Sequence, residues 1–275
     1  MKKVILVISG AKQPNAAGFI EEYEKLNGRI DKIICLHVKH NFIFYIKKPL
    51  RFLKYLKPSA GKQSNIKIFG LLYGMQTIDS LKKSWNVSGE NSWDLLKTDI
   101  DILNFAKQNS IPVEFAIGFS KQLIERNSTN PTLYVLYGGG IIPKNILDIE
   151  NAEFINAHMG EMPRYRGMNV IEWAVLEDNL PKVSVMTMNE QIDGGDLILV
   201  RDIHLTKENT IADLRRTGFI NCYKAMAEGI YKYSTGEAVK TKQPSGARYY
   251  YRMHLGLRDL LKEKLENNYK SIIKD

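Results

Sequence analysis

The sequence predicts an α/β fold, a mostly parallel sheet flanked by helices and followed by a helical C-terminal extension. Three observations predict it. Short β-branched runs end in glycine, they alternate with stretches whose apolar residues recur at helical spacing, and beyond residue 205 helical periodicity takes over. Strands that alternate with helices pair in parallel, because each helix carries the chain back across the sheet.

The elements follow in order. VILVISG at 4–10 and KIICLHV at 32–38 read as buried strands, separated by the helical GFIEEYEKLNG at 18–28. After an irregular basic segment, LLKTDIDILNFAKQ at 95–108 reads as helix and IPVEFAI at 111–117 as strand. SKQLIERN at 120–127 is helical, and TLYVLYGGG at 132–140 is a buried strand closed by glycines. EFINAH at 153–158 and VSVMTMNE at 183–190 add two strands. TIADLRRTGFINCYKAMAEGIYKYSTG at 210–236 is a long helix opened by Thr210, and RYYYRMHLGLRDLLKEKLENNYK at 248–270 reads as a helical tail. The expected organisation is a main domain over 1–205, carrying a basic insertion at 39–80, and a helical extension over 206–275.

A chain of 275 residues with 44% hydrophobic content can bury one large core. It holds no run of eighteen apolar residues, and its N-terminus is too short in apolar length for a signal peptide, so a cytoplasmic location is expected. Cys35 and Cys222 lie far apart with no metal-ligand spacing and are expected to be reduced thiols. The net charge of +9 favours anionic partners. Between Lys32 and Ile78 stand nine lysines and arginines with no carboxylate. Within this stretch, residues 41–58 place Leu50, Leu53 and Leu56 among lysines, which suits a core-facing helix with a solvated basic face or a membrane-surface contact.

Ligands of open parallel sheets bind beyond the carboxyl ends of the strands. Three glycine-bearing or polar stretches fall there: GGG after TLYVLY, the loop after EFINAH, and IDGGD after VSVMTMNE. Side chains two apart on a strand share a face, so Asn156 and His158 project together. An amide donor beside an imidazole can stabilise a developing oxyanion and move a proton. Asp193 in the IDGGD loop is placed to orient His158 and raise its pKa. His158, Asp193 and Asp196 could also be read as metal ligands, but no HxH or HxxxH spacing supports this and no metal is expected. The chain has no GxSxG elbow for a nucleophile and no GxGxxG turn for a dinucleotide.

LYGGGIIPKNIL, INAHMGEMPRYRGMNVIEWAVLE and VSVMTMNEQIDGGDLIL, in that order, resemble the formyltransferase family, most like its nucleotide-sugar N-formyltransferases. The resemblance spans roughly residues 98–205 and includes the family's Asn-x-His, a Pro-x-x-x-Gly loop seen as PRYRG, and an Asp-x-Gly seen as DGG. It implies a Rossmann-like catalytic domain and N10-formyltetrahydrofolate as co-substrate. It further implies Asn156, His158 and Asp193 as the catalytic triad, with Asp193 keeping His158 charged. Gly139, Gly140, Ile141 and Ile142 would line one wall of a pterin pocket, and the segment from Met188 through Glu190 and Ile192 to Asp193 the other. Where relatives have Ser-Leu-Leu-Pro, this chain has Met159-Gly160-Glu161-Met162-Pro163, and a cis Met162-Pro163 bond is one expectation.

The resemblance leaves several acceptors open. The methionyl-tRNA enzymes add a β-rich C-terminal domain, and the purine-pathway enzymes open with a glycine-rich turn that SGAKQPNAAGF does not match. The expected acceptor is an anionic small molecule, a nucleotide-linked amino sugar for surface-glycan biosynthesis, and no nucleic-acid partner is expected. Lys12, Arg164, Arg166 and Met168 are the candidate acceptor contacts. A homodimer is a further expectation, and a non-catalytic binding protein that kept the fold is the competing reading.

Overall fold

A computed structural model of the chain describes residues 2–36, 95–138, 140–205 and 210–267. The expected insertion at 39–80, with its amphipathic stretch 41–58, lies outside the described residues. All described residues belong to one compact unit, Met1–His37 with Gly89–Asp275.

The sheet is built from β1 (Lys3–Ile8), β2 (Lys32–Leu36), β3 (Val113–Ala116), β4 (Thr132–Tyr137), β5 (Ala152–His158), β7 (Lys182–Thr187) and β8 (Leu197–Asp202), in the spatial order β3-β2-β1-β4-β5-β7-β8. The first five strands of that order pair in parallel, and β7 and β8 then run antiparallel. β1 is almost entirely buried, which is why it reads as a continuous apolar run rather than an alternating one.

Helix α1 (Pro14–Lys25) begins earlier than its apolar spacing suggested, because Pro14 in the first turn fits the helix start. Helix α2 (Ile102–Gln108) begins later, since the Asp101 carboxylate accepts from the backbone N–H groups of Leu103 and Asn104. Such a cap contributes about 1 kcal/mol and fixes where the first turn opens. Ser120 caps α3 (Lys121–Asn127) in the same way, and a short α4 (Lys144–Leu147) follows β4. Helix α5 (Val170–Leu176) leads into β7.

The long α6 (Ile211–Thr235) opens at Thr210, whose hydroxyl accepts from Asp213 N–H, and closes at Gly236. It packs on α1 and across β4, β5, β7 and β8, so the segment beyond 205 covers one face of the sheet. That face holds the larger core, including Phe19, Ile155, Val185 and Ile230. The opposite face holds a second core, with Tyr134 stacked on Phe154 at 4.9 Å, together with Ile142 and Ile146.

Three strands depart from the sequence reading. LILVRD forms β8 at the sheet edge, where only Ile198 is buried, so the alternation that marks a half-buried strand is faint. Tyr249–Tyr250, read as the start of a helical tail, is instead strand β9, which pairs in parallel with β6 (Arg166–Gly167). The helix begins only at Leu255, as α7 (Leu255–Asn267). Tyrosine at consecutive positions favours extended backbone, and here β6 supplies the partner that stabilises it.

Candidate active site

β5 carries Phe154, Asn156 and His158 on one face by strand alternation. Phe154 seals the core, while the two polar residues stand further toward the strand end. Ile141 and Ile142 follow β4, and the turn between β7 and β8 carries Met188 to Gly194. Together with Asn156 these segments enclose a cavity of about 230 Å³. Gly140, Ile141 and Ile142 line one side, with Met188, Glu190, Ile192 and Asp193 on the other. Of the sequence-derived wall residues, only Gly139 lies outside the described residues. Ile141 and Ile192 are exposed, leaving apolar surface at the cavity, and Lys144 from α4 pairs with Glu190.

The Asn156 amide lines this cavity and makes no hydrogen bond among the described residues. His158 sits deeper. Its Nε2 lies 3.0 Å from the Tyr165 carbonyl, and because a carbonyl only accepts, Nε2 carries the hydrogen. Its Nδ1 then faces Asp193 Oδ1 at 3.8 Å, beyond direct hydrogen-bond distance.

Burial pushes the His158 pKa below its ordinary value. The Asp193 carboxylate and the Tyr165 carbonyl push the other way but are outweighed. Asp193 thus acts in the expected direction, favouring the charged imidazole, while burial, which was not visible in the sequence, acts against it more strongly. With Nε2 carrying the hydrogen, Nδ1 is the ring nitrogen that faces Asp193, and burial disfavours a second proton there.

Asp193 has a left-handed backbone, φ 53°, which is uncommon for a residue with a side chain. Its Oδ2 accepts from Gly167 N–H at 3.0 Å. Gly167 must be glycine: its φ is 100°, and a Cβ there would stand 2.2 Å from the Tyr250 carbonyl oxygen. Gly195 is constrained by space, since a Cβ would fall 1.8 Å from the Thr187 carbonyl oxygen. The glycines of PRYRG and DGG therefore let two chain segments close around one carboxylate.

The rest of PRYRG is framework. Met162-Pro163 is cis, Met162 N–H donates to Ser184 Oγ at 3.1 Å, and Tyr165 OH donates to Glu177 at 2.9 Å. Arg166 is buried and directs its two terminal nitrogens at Tyr249 OH and Gln243 Oε1. Its place as an acceptor contact is thereby taken by protein partners. Lys12 and Arg164 are exposed, with Arg164 over the Tyr165 ring at 5.2 Å, and Met168 is exposed; none of these lines the cavity. Sequence reasoning missed the Tyr165 carbonyl and Gln243. A backbone oxygen carries no residue-type signal, and Gln243 lies far along the chain from every motif.

Cys35 and Cys222 are free thiols; burial raises both and pushes Cys222 up to about 12. Among the described residues no three His, Cys, Asp or Glu side chains gather into a metal-holding group, and no helix is long and apolar enough to cross a membrane.

Residues 120–228 match the family model described as formyl transferase. Curated relatives include the methionyl-tRNA formyltransferase of Prochlorococcus marinus strain AS9601, 29% identical over 164 residues, covering 55% of this chain and 50% of that protein. The methionyl-tRNA formyltransferase of Clostridioides difficile strain 630 is 33% identical over 117 residues, covering 41% of this chain and 38% of that protein. The chain thus spans half or less of these relatives' length. Among solved structures, the N-formyltransferase of Helicobacter canadensis, in complex with folinic acid and dTDP-3-aminofucose, aligns with TM-score 0.53 at 15% identity, covering 92% of this chain and 71% of that one. A sugar N-formyltransferase from Shewanella sp FDAARGOS_354 aligns with TM-score 0.53 at 12% identity, covering 97% of this chain and 88% of that one. The polar trio and both described cavity walls fall inside the matched segment, so it is the part of the chain similar to the formyl transferase family that carries the site, set in a fold similar to that of these sugar N-formyltransferases.

Proposed function

We propose that this protein transfers a formyl group from N10-formyltetrahydrofolate to the primary amine of a small anionic acceptor, a nucleotide-linked amino sugar. The observation that carries the reading is the unpartnered Asn156 amide in a cavity whose wall also presents the paired Asp193. A half-buried amide without a partner is a donor awaiting an acceptor atom.

The cavity suits the bicyclic head of a folate. Its isoleucine and methionine side chains offer apolar faces, and the backbone of residues 188–194 offers hydrogen bonds at the edge. Attack of a neutral amine on the formyl carbon forms the C–N bond and places negative charge on the formyl oxygen. Asn156 donates to that oxygen. The proton leaving the amine is taken up by the His158–Asp193 pair. An imidazolium that burial alone disfavours is stabilised there by the carboxylate 3.8 Å away. The pair then returns the proton to the departing folate nitrogen as its bond to carbon breaks. His158 works by accepting and returning the proton, not by standing charged.

The proposed acceptor is supported by the solved neighbours, which align over nearly the whole chain and one of which holds dTDP-3-aminofucose. The curated relatives favour a second reading, the aminoacyl group of methionyl-tRNA. A non-catalytic role would leave the free Asn156 amide and the apposed pair unused. Incubation with N10-formyltetrahydrofolate and a panel of nucleotide-linked amino sugars, with methionyl-tRNA alongside, decides between them. Turnover on a sugar nucleotide that is lost in His158→Ala and Asp193→Ala is the expected result. Turnover confined to methionyl-tRNA replaces the acceptor, and absence of folate binding removes the enzyme reading.

A further inference from the structure

Gln243 lies outside the matched segment 120–228, in the stretch between α6 and β9. Its side-chain nitrogen donates to the Asp193 carbonyl at 3.0 Å and to the Gly195 carbonyl at 2.7 Å. Its side-chain oxygen accepts from the buried Arg166 guanidinium at 2.6 Å. Two residues earlier, Thr241 exchanges both backbone hydrogen bonds with Leu197, at 2.7 and 2.8 Å, just beyond the DGG turn. Arg166 also belongs to the strand pair that ties Gly167 to Tyr250, and Gly167 N–H holds the Asp193 carboxylate.

From these contacts we infer that Gln243 is a positioning residue for the site, a strap that holds the DGG turn so that the Asp193 carboxylate stays opposite His158 Nδ1. The inference depends on the reading of His158 and Asp193 as the proton-transfer pair. A non-glycine residue in the left-handed region persists only where its surroundings over-determine it. At Asp193 the turn's own hydrogen bonds do not supply that constraint. They run from the Asn189 side-chain nitrogen to the Gly194 carbonyl, from Gln191 N–H to Asn189 Oδ1, from Gly194 N–H to the Gln191 carbonyl, and between Thr187 and Asp196 at the base of the turn, and leave the carbonyls of 193 and 195 to Gln243. A single amide satisfies both carbonyls and passes the constraint to Arg166. Without it the turn keeps its sequence but loses the register of its carboxylate.

The test reads the site by the NMR titration of the His158 ring in the full chain, which needs neither the acceptor nor turnover. His158 faces the Asp193 carboxylate on one side and the Tyr165 carbonyl on the other. Asp193→Asn removes the facing charge and should lower the His158 titration by about half a unit or more, the scale of one lost opposite charge at this range. Gln243→Met, similar in length but without the amide, should lower it by part of that amount. The double variant should titrate no lower than Asp193→Asn alone, as expected when one residue acts through the other.

An unchanged titration in Gln243→Met overturns the strap, as does a double variant that falls below Asp193→Asn. A loss of melting temperature in Gln243→Met with the His158 titration unmoved assigns Gln243 to general stability and overturns it too. Should Gln243→Met not fold, Gln243→Asn, one methylene shorter and unable to reach both carbonyls, takes its place under the same criteria. If Asp193→Asn itself leaves His158 unmoved, the pairing of His158 with Asp193 fails instead, and the two failures are thereby told apart.

Discussion

Two crevices of one sheet carry different loads. The strand order reverses between β1 and β4, where open α/β sheets commonly place ligands. In this chain that gap is filled by its own side chain: Gln13, buried, accepts from Ser9 N–H at 3.2 Å and donates to Ser9 Oγ at 2.6 Å and to the Tyr137 carbonyl at 2.9 Å. Beside β5 and β7 the situation is the reverse, since Asn156 faces a cavity without a partner and the apposed His158 and Asp193 are not in direct hydrogen-bond contact. At the first crevice the Gln13 amide is fully engaged, and at the second the Asn156 amide, unpartnered among the described residues, is free for a ligand. The antiparallel pairing of β7 with β8 matters because it lets the connecting loop, residues 188–196, return at the strand end, and that loop supplies the second wall.

The contrast breaks most readily at its open end. Asn156→Ala should lower turnover about a hundredfold or more, or about 2.7 kcal/mol of transition-state stabilisation, with little change in stability. Steady-state kinetics alongside denaturant unfolding checks both halves, and a near-normal rate would refute the oxyanion role. The closed end should answer in the opposite currency. Gln13→Ala leaves Ser9 N–H, Ser9 Oγ and the Tyr137 carbonyl without their partner and should cost about 1 kcal/mol in urea unfolding, with the rate per folded molecule unchanged.

The pH dependence of stability sharpens the comparison further. The His158 pKa is lowered in the folded state, so between that value and 6.5 the unfolded chain binds more protons, and folding stability falls as pH drops through this window. His158→Gln should flatten that part of the curve. Away from the site, burial pushes Glu114 up, but Asn127, Arg126 and Lys32 outweigh it and pull its carboxyl down to about 2. Its stabilisation is complete above 4.5 and is lost as pH falls from there toward 2, so Glu114→Gln should alter the acid limb alone. Thermal unfolding from pH 2 to 8 separates the two windows. The smallest effect is expected at Ile192, 68% exposed at the cavity: Ile192→Ala should change stability by less than about 0.5 kcal/mol. Its measurable consequence should be a higher KM for the formyl donor with kcat retained.

Much of the site was legible because strand periodicity is local. Asn156 and His158 share a face for the same reason that Phe154 does, and DGG marks a turn whatever surrounds it. The sheet's parallel half followed from apolar runs closed by glycine, while β8 and β9 escaped because an edge strand and a two-residue strand bury too little to imprint a pattern. Arg166 shows the limit at the level of one residue: an arginine beside a site motif suits an anionic substrate by charge, and only the fold shows its guanidinium taken by Gln243 and Tyr249.

By itself the sequence determined the alternation of the parallel strands with their helices, the shared face of Asn156 and His158, and the formyl transferase resemblance of PRYRG and DGG, all properties of neighbouring residues. Tertiary structure alone decided that burial pushes the His158 pKa down, that Gly167 and Gly195 are required by the oxygens of Tyr250 and Thr187, and that Gln243 reaches the Asp193 turn. Desolvation and contact depend on what the rest of the chain brings near, and that is set by packing between segments tens of residues apart.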